Sequence, residues 1–284
     1  MKSLPSPRSI LLPRLPRAGA AAGALAVAIA GMTPVASAAS AVDALTAIRQ
    51  RGELRVGMQY VAPEYVAGSK FRTPEGIEHV LAQDLAQRLQ VKAVAVQAGA
   101  VKNKDKLSTA RKEEVLLTVA PASQSPRAGA VPTGYVAAPM AIMRSDTTIR
   151  SWEQLKGRSV CVAQGGRYAG LAARYGAVEK PYKAAADALL ALRVGACDAT
   201  IHDAALLEEL LKLPEWKKFS ARLTPGAGAP LDIVLSPGDD KARAYFQQVT
   251  REWQASGYLQ QQLRLMARNI AFEVYLDQDV PDCH

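Results

Sequence analysis

The residues with chemistry to offer are few, and the chain is organised around Asp203. It follows Ala199-Thr200-Ile201-His202, a segment short and apolar enough for the middle of a parallel sheet, and directly precedes the apolar run Ala204-Ala205-Leu206-Leu207. An aspartate in that place caps a helix. At the carboxyl end of a strand in an open α/β sheet it also stands where ligands sit. On the residues alone, Asp203 is either a plain cap or a carboxylate facing a cleft. His202 has no partner His or Cys at a metal-ligand spacing, which favours a structural role over a metal. Gln164-Gly165-Gly166-Arg167-Tyr168 is a glycine turn after an apolar segment, opening a helix to Tyr175. Arg127 ends a loop over 121–127 and, read from its surroundings alone, is a solvated arginine. Glu64, His202 and Asp203 are the obvious acid or base candidates, and the spacing reveals no nucleophile–base pair.

Such groups need strands and helices to position them, and the hydrophobic pattern supplies both. A helix over 42–50 carries Leu45 and Ile48 and ends at Arg51-Gly52. Residues 53–58 alternate as a strand, and 59–65 form the loop at its carboxyl end. Ile77, Leu81, Leu85 and Leu89 recur at i+4 as one helical stripe. Strands follow at 91–96 and 114–120, separated by a polar, basic loop and helix over 102–112. Residues 135–143 are apolar and extended, 148–157 form a short helix with Ser151 as its cap, and 159–163 form a strand. Helices are expected at 181–192 and 206–213, the second ending at Pro214, with Gly195 closing the first. A strand at 231–235 leads to a helix over 239–256, broken at Gly257, and a last helix over 258–266 carries Leu259, Leu263 and Met266. Trp152 and Trp253 read as packing residues. Alternating strands and helices mean mostly parallel sheets covered by helices, an α/β fold.

Composition narrows the function. Residues 1–38 contain Lys2, Arg8, Arg14 and Arg17 with no acid, then a run of small apolar residues over 18–30, then Ala36-Ser37-Ala38. That is a signal peptide with its cleavage site, and the apolar run is too short and alanine-rich for a membrane span. No cysteine adjoins the cleavage point and no Arg-Arg pair precedes the run, so the general secretory route is expected and a lipid anchor is not. Its four basic residues gone, the chain falls from a formal charge of +9 to +5. No basic block stands beside aromatics, which excludes nucleic acid as a partner. Three cysteines, Cys161, Cys197 and Cys283, allow one disulfide and leave one thiol. Their scatter fits no zinc site. The pair Cys197–Cys283 is favoured because Cys161 lies inside an apolar strand, although the sequence does not fix the pairing.

The order of elements resembles the periplasmic solute-binding proteins of amino-acid ABC transporters (family 3). Leu45-Thr46-Ala47-Ile48-Arg49-Gln50-Arg51-Gly52-Glu53-Leu54-Arg55-Val56-Gly57 is similar to that family's opening helix and strand, and Asp84-Leu85-Ala86 to its D-L-A helix. Leu155-Lys156-Gly157-Arg158-Ser159-Val160-Cys161-Val162-Ala163-Gln164-Gly165 resembles its L-K-G-K-x-V-x-V-x-x-G segment, and 193–203 its G-x-V-D-A-x-x-x-D. Residues 233–259 resemble its return strand and closing helices. The likeness spans nearly all of the chain after residue 38. It implies two α/β lobes, 39–138 with 230–284 and 139–229, joined by a hinge near 136–144 and 227–231.

The resemblance also implies a site. Arg127 falls on the arginine that grips a ligand's α-carboxylate with paired hydrogen bonds. Asp203 falls on the acid that takes its α-amino group. Gly166 and Arg167 fall in the second lobe's loop, where a helix N-terminus turns backbone N–H groups toward an anion. Arg167 replaces a small hydroxyl residue and either adds a positive contact or points to solvent. Tyr60 and Tyr65 fall where an aromatic covers the ligand, and Ala120 and Ala122 stand where hydroxyl residues often contact it. The implied activity is non-enzymatic: capture of a small amino-acid-like or anionic solute by a periplasmic monomer, without cofactor, and delivery to an inner-membrane ABC permease. The alternatives are a cyclohexadienyl or arogenate dehydratase-like enzyme on the same fold and a non-transporting sensor or accessory protein.

Overall fold

Alternating apolar segments and amphipathic stripes become two five-stranded sheets flanked by helices. The computed structural model describes residues 43–59, 61, 70–98, 115–119, 129–235 and 238–278. The expected export signal, Tyr60, Glu64, Tyr65, Ala120, Ala122, Arg127 and Cys283 lie outside the described residues. In the first sheet, β1 (Glu53–Met58) pairs in parallel with β2 (Lys92–Gln97) and with β3 (Val115–Val119). β10 (Ala229–Leu235) runs antiparallel to β3, and β4 (Val131–Ala137) antiparallel to β10, giving the order β2-β1-β3-β10-β4. In the second sheet, β6 (Ser159–Ala163) pairs in parallel with β7 (Val178–Tyr182) and with β8 (Ala199–Asp203). β5 (Pro139–Met143) is antiparallel to β8, and β9 (Ala221–Arg222) antiparallel to β5, giving β7-β6-β8-β5-β9.

The sheets are therefore mixed, and connectivity explains why. β4 ends beside the second sheet and passes through Ala138 straight into β5, so β5 enters from the end where β6 and β8 finish. β10 enters the first sheet the same way after β9. A chain crossing between sheets must run against the βαβ strands it joins.

Local signals bound the helices at several places, and Gly52, Ser151 and Gly257 act as read. Asp43 accepts from the Thr46 amide at 2.9 Å to start α1 (Ala44–Arg51), and Gly52, at φ 74°, ends it. Leu81, Leu85 and Leu89 are buried on α2 (Glu78–Leu89). Ser151 and Gln154 form a capping box on the short 3-10 helix Trp152–Leu155. Asp239 caps α6 (Asp240–Ser256) and Gly257 ends it.

Elsewhere the structure differs. Only α3 (Leu171–Arg174) follows the glycine turn. β7 occupies 178–182, where Pro181 and the flanking polar residues hid an edge strand, so α4 (Ala185–Arg193) begins four residues later than expected. The last helix, α7 (Tyr258–Leu276), continues ten residues past Met266 with Ile270, Ala271 and Val274 buried. It packs along α4 and along α5 (Ala204–Leu210), so one apolar core runs through residues of both sheets. Among the described residues no helix is long and apolar enough to cross a membrane.

The disulfide joins Cys161 to Cys197, with Cα atoms 5.9 Å apart, and not Cys197 to Cys283. Lying in an apolar strand did not disqualify Cys161. Its side chain sits on the face covered by α4, where Ala188 and Ala191 leave room for the sulfurs. The bond closes a span of 36 residues. Replacing both cysteines by alanine should lower stability by about 2–4 kcal/mol in urea unfolding. Peptide mapping without reductant should recover 161 linked to 197.

Candidate functional site

The carboxyl ends of β1, β6 and β8 meet at a small cleft, and the residues at those ends line it. Gln59 follows β1. Glu75, Gly76 and Ile77 lead into Glu78, the first residue of α2. Tyr135 comes from β4, Gly166, Arg167 and Tyr168 from the turn after β6, and Asp203 from the end of β8. About 20 Å³ remains open between them, space for one water.

Asp203 is both things its position allowed. Its Oδ1 accepts from the Ala205 amide at 3.1 Å and caps α5. The same oxygen accepts from the Tyr135 hydroxyl at 2.5 Å, and Oδ2 accepts from the Tyr168 hydroxyl at 2.7 Å. Tyr135 reaches it because β4 alternates strictly, with Thr133, Tyr135 and Ala137 all buried. The carboxylate, 7% exposed, thus takes donors from elements of both sheets. Burial raises the Asp203 pKa, and the two phenols, the Ala205 amide and Arg167 act against that rise. Burial and the facing carboxylate raise both tyrosines, Tyr135 strongly, so the phenols stay protonated donors.

Arg167 points into the cleft and not to solvent, but its guanidinium is bound by Glu78 in a mostly buried ion pair. Gly166 does not lend its amide to the cleft, because that N–H donates to the Ala163 carbonyl at 3.1 Å. The expected helix N-terminus lies further on and is already occupied. Glu179 accepts from the Gly170 and Ala172 amides at 2.8 and 2.9 Å. Gly166 instead makes room for a carboxylate, since a Cβ there would stand 2.3 Å from Glu75 Oε2.

His202 is fully buried, its Nε2 3.0 Å from the Thr200 hydroxyl and its Nδ1 3.0 Å from Glu75 Oε1. Tyr135, Tyr168, Glu75 and Glu78 are absent from the sequence-based site. Tyr168 ends the glycine turn, and the two glutamates flank Ile77, the first residue of the apolar stripe of α2. Nothing local marks Tyr135 except the alternation of its strand. Among the described residues no cluster of three or more His, Cys, Asp or Glu could hold a metal ion.

Solved structures share this architecture. An ArgBP mutant from T. maritima aligns over 75% of this chain and 94% of its own, at 23% identity and a TM-score of 0.51. An amino acid ABC transporter substrate-binding protein from Streptococcus pneumoniae, bound to L-arginine, aligns over 80% and 98%, at 17% identity and a TM-score of 0.53. This chain has the two-lobed fold of the amino-acid ABC transporter substrate-binding proteins. The ancestral amino acid-binding protein AncCDT-1, described as a precursor of cyclohexadienyl dehydratase, aligns over 81% and 99%, at 20% identity and a TM-score of 0.50. No family model and no curated protein matches the chain.

Removing either phenolic hydroxyl takes a donor from a buried charge. Tyr135→Phe and Tyr168→Phe should each cost about 1.5–3 kcal/mol in urea unfolding at neutral pH. The raised Asp203 pKa fixes a pH trend. The folded state binds that proton more tightly than the unfolded state, so the group's contribution is full in acid and is lost as pH rises through the folded value. Wild type should therefore lose stability relative to Asp203→Asn as pH rises above about 4, the ordinary aspartate value, as read by urea midpoints at successive pH values.

Proposed function

We propose that this chain is an exported solute-binding protein, acting as a monomer in the periplasm, that captures a small amino-acid-like solute between its lobes and delivers it to an ABC permease. The lobes, 39–138 with 230–284 and 139–229, open about a hinge at 136–144 and 227–231. Asp203 carries the reading. It is a buried strand-end carboxylate whose hydroxyl donors come from both sheets. An incoming ammonium would take the place of a phenol there, and hydrogen bonds between charged partners are the stronger kind. Arg127 would receive the solute's carboxylate, with Tyr60 and Tyr65 beside it and Ala120 and Ala122 lining the same loop. A ligand that bridges the lobes favours closure because its contacts exist only in the closed state.

The test is a thermal-shift panel of L-arginine, L-lysine, L-glutamate, succinate and putrescine on the purified protein. At a hundredfold its Kd, a true ligand should raise the melting temperature by roughly 5–10 °C. Asp203→Ala should abolish that shift. No response to any member of a broad solute panel would overturn the reading.

One observation favours a second reading, an enzyme acting on a cyclohexadienol acid. Glu75, with His202 behind it, places a proton-carrying pair at the cleft wall. Steady conversion of prephenate to phenylpyruvate by the purified protein would establish it.

A further inference from the structure

The hydrogen bonds around His202 determine what the cleft lacks. The Thr200 hydroxyl lies 3.0 Å from both the Cys161 carbonyl and His202 Nε2, so its one hydrogen serves one of them and the imidazole takes the matching role at Nε2. At Nδ1 the ring shares one hydrogen bond with Glu75 Oε1. That bond engages one oxygen of Glu75 and leaves Oε2 for another partner. Glu75 lines the cleft with its side chain 9% exposed, and its Oε2 is buried with no hydrogen-bond partner.

The other cleft acids are already supplied. Glu78 is paired with Arg167. Both oxygens of Asp203 hold hydroxyl or amide donors. Arg167 is consumed by Glu78 and His202 by Glu75, so Asp203 leaves a net negative charge among the described cleft residues. A buried acceptor without a donor costs free energy that an occupant's N–H would recover.

We infer that Glu75 sets the ligand class of this site: its free oxygen receives an ammonium or guanidinium, and the solute carries a cationic amine end. The inference rests on the proposed binding function. The segment leading into Glu75 is anchored to α4 and α7. Arg72 bonds Asp187 of α4 at 2.7 and 2.9 Å and also binds Asp277. The Thr73 amide donates to Glu273 of α7 at 2.8 Å. His202 positions the carboxylate from behind, and Gly166 leaves it space.

Calorimetry with L-lysine, L-arginine and L-norleucine tests the inference, because norleucine matches lysine in length and lacks its side-chain ammonium. Wild type should prefer the two cations. Glu75→Met should lose roughly tenfold or more of that preference. Gly166→Ala keeps the glutamate and forces its oxygen aside, and should weaken the preference in the same direction even if Glu75→Met fails to fold. Cation preference untouched by the variants that fold, or wild type binding only L-glutamate or succinate, overturns the inference and leaves the binding function standing. Wild type binding neither these solutes nor any member of the broader panel overturns both.

Discussion

A carboxylate taken out of water must be given donors, and Asp203 draws its donors from both halves of the fold. Tyr135 hangs from a strand of the first sheet and Tyr168 from a turn of the second, and both hydroxyls end on the same side chain. That convergence works only if the ends of β4 and β8 and the turn after β6 are held in fixed relation. The crossing connection holds them. Ala138 separates β4 from β5, and its carbonyl accepts from the Ala204 amide at 2.7 Å, one residue past Asp203. The strand that brings Tyr135 and the strand that brings Asp203 are thus tied beside the carboxylate they share.

The contact between the two sheets draws on bonds beyond Asp203. Glu78 with Arg167 and Glu75 with His202 join the start of α2 to the second sheet. Arg72 adds α4 and the residue after α7. The apolar core makes the same crossing, because α7 leaves α6 at Gly257 and runs along α4 and α5. On the proposed function a solute would bind by exchange, gaining affinity where its groups replace contacts the chain already makes and where they satisfy an atom left unsatisfied. Contacts equal in the open and closed states shift nothing.

Much of the fold was legible because its signals are local. The leucine spacing of α2, the glycines at 52 and 257, Ser151 and Asp203 each act within a turn of themselves. The edge strand β7 was not, because its pairing partner overrides the helix-like pattern after Pro181. The full length of α7 was hidden for a similar reason. Its buried stripe continues past Met266, but what it packs on is set by tertiary structure. The disulfide depended on two small residues of α4 lying above Cys161. The site shows the same division. Asp203 stood out by position, whereas Glu75 is 127 residues from His202 and joins the cleft only through a tertiary contact.

The glycine turn after β6 carries the sharpest lesson about charge. Strand, glycines and a helix start together suggest a place for an anion, since exposed N–H groups and the helix dipole both favour negative charge. Here those features are spent internally. Glu179 occupies the amides at the start of α3, the Gly166 amide turns back to Ala163, and Glu78 neutralises Arg167. Lacking a Cβ, Gly166 brings the cleft not an amide but the nearby carboxylate of Glu75. A motif that elsewhere offers donors here stands, through residues distant in sequence, beside one acceptor without a partner, Glu75 Oε2. The charge a cleft favours follows from which backbone and side-chain groups remain unspent, and the motif alone does not reveal that.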